Sequence, residues 1–430
     1  MADPEPVPIT RTREFWTLVG YAAVFGSVMG LVAYVFLAIV AWATDVLWTD
    51  TDSYGWFAGE PWWILLMGGV GLTIGIIRRV LRVQPVIPGL FDEIDERRVE
   101  PAHVPRRVLV GFVSLIGGAS VGPEAPLASI GGGLATWVSE RRQVSESVAE
   151  TNTLVAMAGA FGGLFSAPMI SALLVVEAAT PEGGRRRYAV TAIPVLIAAA
   201  AGFAVYFALA QTTFVDVYQV PPYSVDLWDF VVAIPLGVLG ALLAGLLGFT
   251  MATVRKGAMR FRSRPEVLAT LGGLALGVIA FALPLTRFAG AAELTTLLDH
   301  APELGAALVI VLILAKILAV ALSFGTGFYG GPIFPMIFIG GAAGVAVHLL
   351  IPGIPEGLAV IALFAAVPGA GASIPFTLTF LAAMTLTLAS PAEAAPAAIA
   401  TAVSYAIFTG FLAPKPHPTR PTEGPTPADG

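Results

Sequence analysis

One uncharged run near the start of the chain limits the possible folds more than any other feature. It covers 15–44, 30 residues without a charge, whereas about 20 apolar residues suffice for a helix to cross a bilayer upright. In lipid every backbone N–H and C=O group needs a partner within the protein, so we predict a tilted spanning helix. The run is too long for a signal peptide and no small-residue cleavage site ends it, so we expect it in the mature protein.

The rest of the chain is also apolar and poor in charge. Only 12% of the 430 residues are charged, against about 25% in soluble domains, and the mean hydropathy is +0.83. The sequence therefore predicts an all-α, polytopic membrane protein in contact with membrane lipid. Further spans are predicted at 61–82, 188–210, 230–254, 266–285, 306–323, 330–350, 357–368 and 394–413.

Other apolar pieces are short or are interrupted by Gly and Pro. Such pieces suit half-helices that end inside the membrane, where protein or water satisfies the freed backbone groups. We therefore predict broken, re-entrant helices. The pieces are 108–122, 123–138, 152–163, 164–177 and 371–388.

The loops alternate in charge along the chain. Basic clusters lie at 11–13, 78–82, 141–142, 185–187 and 255–264, and acidic loops lie at 45–60, 216–229 and 293–303. Because cytoplasmic loops are enriched in Lys and Arg, the basic side and the N-terminus are predicted to be cytoplasmic, in a plasma (inner) membrane. The tails at 1–14 and 413–430 are predicted to be disordered, since they are rich in proline and polar residues.

Several protein classes are disfavoured by what the sequence lacks. It has no cysteine, and its four histidines are scattered without Asp or Glu at the spacing of metal ligands. It has no phosphate-binding loop and no nucleophile elbow. We expect no metal, no cofactor, no nucleic-acid partner and no enzymatic activity.

The chain contains an internal repeat. GPEAPLASIGGG at 122–133 aligns with GPIFPMIFIGGA at 331–342, and FSAPMISALL at 165–174 resembles ASIPFTLTFL at 372–381. The offsets of 209 and 207 residues nearly agree, which indicates one duplicated half. The basic clusters of the first half correspond to outward-facing loops in the second, so the halves are predicted to be inverted.

Inverted repeats with broken helices place a substrate near the middle of the bilayer, where half-helix ends converge. We predict one transmembrane domain at 15–412, with a first repeat at about 61–210 and a second at about 230–412.

Glu124 is the one charged residue of the segment 117–133. Gly-Pro before an apolar run marks a helix start, and two such starts would direct partial positive charge and unpaired amides at one point, which suits an anion. The Glu124 carboxylate could occupy that site and leave it on protonation or displacement; its repeat counterpart is Ile333. The alternative is an ordinary helix-terminal glutamate, although ionisable residues inside a membrane are usually functional.

These segments resemble the CLC family of voltage-gated chloride channels and proton/chloride antiporters. GGASVGPEAPLASIGG resembles the family's Gly-Arg-Glu-Gly-Pro region, FYGGPIFPMIFIGG its Gly-x-Phe-x-Pro region, and QPVIP falls where its Gly-Ser-Gly-Ile-Pro loop belongs. AGAFGGLFSAPMISALLVVE and AIFTG match two further helices. The resemblance covers about 15–412 and implies the inverted-repeat CLC-type architecture, a homodimer and one anion pathway in each subunit.

The resemblance also implies roles for single residues. Glu124 stands in the position of the gating glutamate, and the backbone amides of Glu124, Ala125, Ile333 and Phe334 are expected to bind the anion. Pro85 replaces the serine that donates a hydroxyl to that anion, and nitrate-preferring plant members of the family also carry proline there. Pro85 is therefore a candidate for anion selectivity, unless the loop has moved away from the anion.

The sequence supports coupling of anion transport to protons less well than it supports anion transport itself. The antiporters' internal proton glutamate follows another glutamate, and here Glu177 is followed by Ala178. We expect weak or absent proton movement, with Glu177 either a structural residue at a helix end or a substitute proton relay. Lys316, alone in an apolar span, either pairs with a carboxylate or snorkels, or it attracts anions.

The predicted function is conduction of small inorganic anions, with chloride first, through a pore that Glu124 gates in each subunit. The alternative within the family is a proton-coupled antiporter for chloride, nitrate or fluoride. A membrane enzyme would need a metal-ligand or nucleophile constellation, and a cation transporter would need several facing carboxylates; neither is found in the sequence.

Overall fold

The structure, a computed structural model, describes residues 12–48, 59–84, 86–179, 184–212, 217–261, 263–385 and 391–413. Pro85 and nearly all of the two predicted tails lie outside these residues. The described chain forms the helices α1 (Arg13–Leu47), α2 (Trp62–Val80), α3 (Leu90–Glu96), α4 (Val104–Ile116), α5 (Glu124–Arg141), α6 (Glu146–Phe165), α7 (Pro168–Ala178), α8 (Gly184–Ala210), α9 (Leu227–Ala258), α10 (Pro265–Ala282), α11 (Ala291–Asp299), α12 (Ala301–Thr326), α13 (Ile333–Leu350), α14 (Glu356–Gly371), α15 (Pro375–Thr385) and α16 (Ala395–Ile407).

Within the described residues, eight helices are long and apolar enough to cross a membrane: α1, α2, α8, α9, α10, α12, α13 and the segment Ala392–Leu412 that contains α16. The predicted all-α polytopic membrane protein is thereby confirmed. One predicted span differs, because the helix at 357–368 is α14, which has only 16 residues. Its residues from 357 to 370 are all buried in the protein, so its apolar character reflects a protein core rather than contact with lipid.

The order of helices recurs along the chain. α5 and α13 have 18 residues each, and α7 and α15 have 11 residues each. One helix separates the two in each half: α6 lies between α5 and α7, and α14 lies between α13 and α15. This recurrence supports the predicted duplication; the repeat bounds of 61–210 and 230–412 stay a prediction.

α2 and α10 hold the same place in the two halves and run antiparallel. A Cβ on Gly75, late in α2, would lie 2.3 Å from Cα of Glu266, early in α10. A Cβ on Gly277, late in α10, would lie 2.6 Å from Cα of Ile64, early in α2. Small residues allow membrane helices to approach this closely, and the antiparallel direction is what inverted halves require.

The centre of the fold is built from two equivalent helix pairs, α5 on α6 and α13 on α14. A Cβ on Gly131 of α5 would lie 3.0 Å from the Ala156 carbonyl oxygen, and one on Gly340 of α13 would lie 2.1 Å from that of Leu363. Gly131 and Gly340 are repeat counterparts in the sequence. The repeated Gly-Gly segments therefore hold these helix pairs in close contact, and both pairs are mostly buried.

Candidate anion pathway

The two Gly-Pro segments meet in the middle of the protein. The Gly122 amide donates to the Gly331 carbonyl at 2.8 Å, and the Gly331 amide donates to the Gly122 carbonyl at 2.7 Å. This isolated bridge is antiparallel. Because it joins two repeat counterparts in an antiparallel pair, it lies on a local two-fold axis between the halves.

A pair of serines extends the same symmetry. The Ser114 hydroxyl in α4 accepts from the Tyr329 amide, and the Ser323 hydroxyl in α12 accepts from the Ser120 amide, both at 3.1 Å. Each hydroxyl also donates to the carbonyl four residues earlier in its own helix, at 2.8 Å. The loops that lead into α5 and α13 are thus each held by a helix of the other half.

Each of these loops ends at a helix with only two usable amides in its first turn. α5 begins at Glu124 and α13 at Ile333, and the third residue of both helices is proline, Pro126 and Pro335. The first amides of a helix have no partner within it, and proline has no amide to offer. Each helix start therefore presents two N–H groups, which are those of Glu124 and Ala125 in α5.

The Glu124 carboxylate crosses to the helix start of the other half. Its Oε1 accepts from the Ile333 amide at 2.9 Å and from the Phe334 amide at 3.4 Å. The residue is fully buried, and Oε2 has no hydrogen-bond partner in the described part of the chain. The side chain thus lies on the positive end of α13, which is the kind of position that suits an anion.

The two bridging glycines make room for this carboxylate. A Cβ on Gly331 would lie 2.3 Å from Cδ of Glu124, and one on Gly122 would lie 1.9 Å from its Oε2. These separations are far shorter than non-bonded contacts allow. The Gly-Pro repeats therefore serve two purposes, since they start the helices and they leave the space that the carboxylate fills.

An aromatic pair closes one side of this site. The Phe334 ring stacks on Phe165 with centroids 5.6 Å apart and ring planes 4° from parallel. Phe165 is the last residue of α6, and Ser166 follows it with φ 50°. Both rings are buried, so this side of the site is apolar.

Glu177 lies at a different helix start. Its two carboxylate oxygens accept from the amides of Phe376 and Thr377 at 2.8 Å each, and one of them also accepts from the Thr377 hydroxyl at 2.7 Å. It therefore caps α15, the repeat counterpart of its own helix α7. This geometry supports the structural alternative for Glu177; its role as a proton relay stays a prediction.

Lys316 is fully buried in α12 and does not snorkel. Its ammonium group donates to the carbonyls of Thr286, Arg287 and Phe288 at 3.2, 3.0 and 2.9 Å. It also lies 4.9 Å from the centre of the Phe338 ring. These contacts support a structural role for Lys316 in fixing the segment before α11; an anion-attracting role stays a prediction.

The structure thus brings Glu124, Ile333 and Phe334 into direct contact, with Ala125 in the same helical turn. Their roles as gate and anion ligands stay predictions, and Pro85 lies outside the described residues. The sequence analysis did not identify a buried polar cluster around Glu93, in α3. A glutamate that is followed by an arginine fourteen residues later is too common a sequence pattern to indicate a functional site.

Comparison with known proteins gives a consistent result. A sequence model of the family described as "Voltage gated chloride channel" matches residues 71–409. Relatives described as "Putative ion-transport protein YfeO" include one from Salmonella paratyphi A, 27% identical over 363 residues, and one from Salmonella newport, 26% identical. Both alignments cover 81% of this chain and 85% of the relative.

Three solved structures share the fold. A slow cyanobacterial Cl−/H+ antiporter superposes with a TM-score of 0.77 at 18% identity, covering 91% of this chain and 94% of that one. A CLC-type fluoride/proton antiporter gives 0.73 at 20% identity, covering 93% and 96%. A eukaryotic CLC transporter gives 0.69 at 16% identity, covering 92% and 72%.

Proposed function

The chain belongs to the voltage gated chloride channel family, and we propose that it carries small inorganic anions, chloride first, through a pathway that Glu124 closes. The observation that carries this proposal is the position of the Glu124 carboxylate on the amides of Ile333 and Phe334. A carboxylate oxygen on two backbone amides at a helix start is a direct analogue of a bound anion.

The same position supports a gating role. While Glu124 Oε1 occupies the α13 amides, an anion cannot use them. Oε2 is buried and has no hydrogen-bond partner in the described residues, and a buried carboxylate with an unsatisfied oxygen is costly. This cost favours exchange with an arrangement in which an anion takes the amides and Glu124 is protonated or displaced.

The membrane setting of the proposal follows the charge pattern. The protein is an integral, multi-pass membrane protein. We further propose that it lies in the plasma (inner) membrane with its N-terminus in the cytoplasm, that it forms a homodimer with one pathway in each subunit, and that voltage affects its gating. The first of these rests on the basic loops, and the others on family membership.

A second candidate is proton-coupled exchange of chloride, nitrate or fluoride. Two solved structures with this fold are described as Cl−/H+ and fluoride/proton antiporters. A carboxylate in the anion site suits such exchange, because Glu124 could leave the amides with a proton as an anion enters.

Purified protein in liposomes separates the two candidates. Chloride efflux and internal pH are recorded together under a fixed membrane voltage, with protein-free liposomes as the control. Anion efflux without a proton flux identifies a channel or an uncoupled carrier, whereas a fixed proton-to-anion ratio identifies an antiporter. Absence of flux for chloride, nitrate and fluoride alike would contradict the proposal.

A further inference from the structure

A second carboxylate is buried in the same half of the molecule as Glu124. Glu93, in α3, is only 1% exposed and forms an ion pair with Arg107 of α4 at 2.8 Å. Its Oε1 and Oε2 also lie 2.7 and 2.9 Å from the Ser129 hydroxyl of α5. α3 is not among the membrane-spanning helices, so Glu93 joins a loop region to the core.

The contacts continue from Ser129 towards the gate. The Ser129 hydroxyl lies 2.7 Å from the Tyr329 hydroxyl, which donates to the Ala125 carbonyl at 3.3 Å. Ala125 directly follows Glu124. A carboxyl and two hydroxyls therefore form an unbroken chain of exchangeable protons that ends in the first turn of the helix that carries the gate.

At its other end the cluster approaches the basic side of the molecule. Arg107 donates to Oε1 of Gln84 at 3.0 Å, and Nε2 of Gln84 lies 3.3 Å from Nδ1 of His103. Gln84 and His103 are both partly exposed. They follow α2, whose last turn carries the basic pair Arg78 and Arg79, so this end of the cluster faces the basic side of the protein.

The charged surroundings of Glu93 suit proton exchange near neutral pH. Burial raises the pKa of the Glu93 carboxyl to about 7, although the Ser129 hydrogen bond and the Arg107 charge act in the opposite direction. Glu96, on the same helix, adds a negative charge that raises it further. α7 also packs against α3, but its Glu177 carboxylate is bound to α15.

Stability alone is a weak explanation of this cluster. A buried ion pair contributes little compared with well-packed apolar side chains of similar volume. The repeat counterpart of Ser129 in the second half is also not polar, since it is Phe338. The fold therefore does not require a hydroxyl at the position of Ser129.

We propose that Glu93, Ser129 and Tyr329 conduct protons between the basic side of the protein and the Glu124 region. The Glu93 carboxyl releases its proton to the Ser129 oxygen as Ser129 passes its own proton to the Tyr329 oxygen. Tyr329 in turn passes its proton to a water in the pathway, from which Glu124 takes it. The proposal rests on the proton-coupled form of the proposed function, and it places the internal proton donor at Glu93 although Ala178 has no titratable group.

The test records chloride and proton fluxes together in liposomes that contain the full-length protein. The variants are Glu93→Gln, Ser129→Ala and Tyr329→Phe, and Asp95→Asn is the matched control because Asp95 is an exposed carboxylate on the same helix. Contrary to the expectation from the sequence alone, the proposed route predicts chloride-driven proton movement in the wild type and the control. In each of the three variants proton flux should fall by roughly 100-fold, the lower range for a positioned proton-transfer group, while chloride efflux persists.

The results of this test distinguish failure of the proton route from failure of the proposed function. Chloride efflux without any proton flux in the wild type, or a proton flux that survives both Ser129→Ala and Tyr329→Phe, overturns the proton route and leaves anion transport intact. Absence of both fluxes overturns the proposed function and the route with it. If Glu93→Gln does not fold, the Ser129 and Tyr329 variants still decide, since each removes a single oxygen.

Discussion

The Glu124 carboxylate accepts a hydrogen bond at 2.9 Å from the amide of Ile333, its own counterpart in the internal repeat. A side chain of the first half thus caps the helix that begins the equivalent segment of the second half. The reverse contact cannot form, because Ile333 has no polar side chain. The two helix starts are therefore related by a symmetric backbone, and only one of them carries a carboxylate.

The same loss of symmetry recurs at the other polar positions. Gly122 and Gly331 bridge as equivalent residues, but Tyr329 corresponds to Ser120 and lies beside Ser129, whose counterpart is Phe338. The symmetric backbone therefore supplies both helix starts, but the polar side chains near them do not follow the symmetry. Glu124 and Ser129 have apolar counterparts, Ile333 and Phe338, and Tyr329 corresponds to a serine.

The first prediction concerns Gly331→Ala. The three atoms nearest to a Cβ at this position are all in the Glu124 carboxylate, at 2.3, 2.4 and 2.6 Å. The added methyl group should therefore displace this flexible side chain from the α13 amides and leave the backbone in place. We expect faster anion efflux with a weaker pH dependence, measured in liposomes.

The matched control is Gly353→Ala, since a Cβ there meets nothing within 4 Å. It should leave efflux unchanged. Efflux from Gly331→Ala that is slower than wild type, at an unchanged melting temperature, would show that the carboxylate does not block the pathway.

Glu177→Ala tests the capping role at α15. Loss of a helix cap costs about 1–2 kcal/mol, so the melting temperature should fall. If the proton-to-anion ratio also falls, Glu177 carries protons and the structural interpretation is wrong. Glu146→Ala, at an exposed carboxylate of α6, serves as a control for the loss of a surface charge.

Lys316→Met tests whether this lysine fixes structure or attracts anions. Each buried carbonyl left without a donor costs about 1–3 kcal/mol, and Lys316 serves three of them. We expect a lower melting temperature and an unchanged chloride concentration at half-maximal flux. Lys256→Met, at an exposed position in α9, should change neither quantity; a weakened chloride affinity at normal stability in Lys316→Met would assign the anion-attracting role.

Pro85→Ser tests selectivity. A hydroxyl donated to a buried anion is a charge-assisted hydrogen bond worth about 1.5–3 kcal/mol, and proline has neither hydroxyl nor N–H. The added serine should help strongly hydrated chloride more than nitrate, so the chloride-to-nitrate flux ratio should rise. An unchanged ratio means that residue 85 does not contact the anion.

The sequence was sufficient to predict the meeting of Glu124 with Ile333 and Phe334. Inverted repeats with broken helices bring half-helix ends together near the middle of the bilayer, and the sequence shows directly that one of the two proline-marked helix starts carries a carboxylate. The eight spans could likewise be predicted, because uncharged runs of that length have few alternatives in lipid.

The contacts of Glu93 and Glu177 could not be predicted in this way. Glu93, Ser129 and Tyr329 are brought together only by the packing of α3, α5 and the loop before α13, and no periodicity links them along the chain. For Glu177 the sequence left a structural and a proton-transfer role open. The choice depends on where the first turn of α15 lies, which only the folded chain shows.

The most direct test of the central claim is the pH dependence of anion efflux in wild type and Glu124→Gln, measured side by side in liposomes. The glutamine keeps the size of the side chain but removes its charge and its titration, so it cannot act as a competing anion. Glu140→Gln, at an exposed carboxylate in the last turn of α5, is the matched control. The account predicts that Glu124→Gln conducts anions as fast as wild type or faster and no longer responds to pH, whereas a pH dependence that persists unchanged in Glu124→Gln would contradict it.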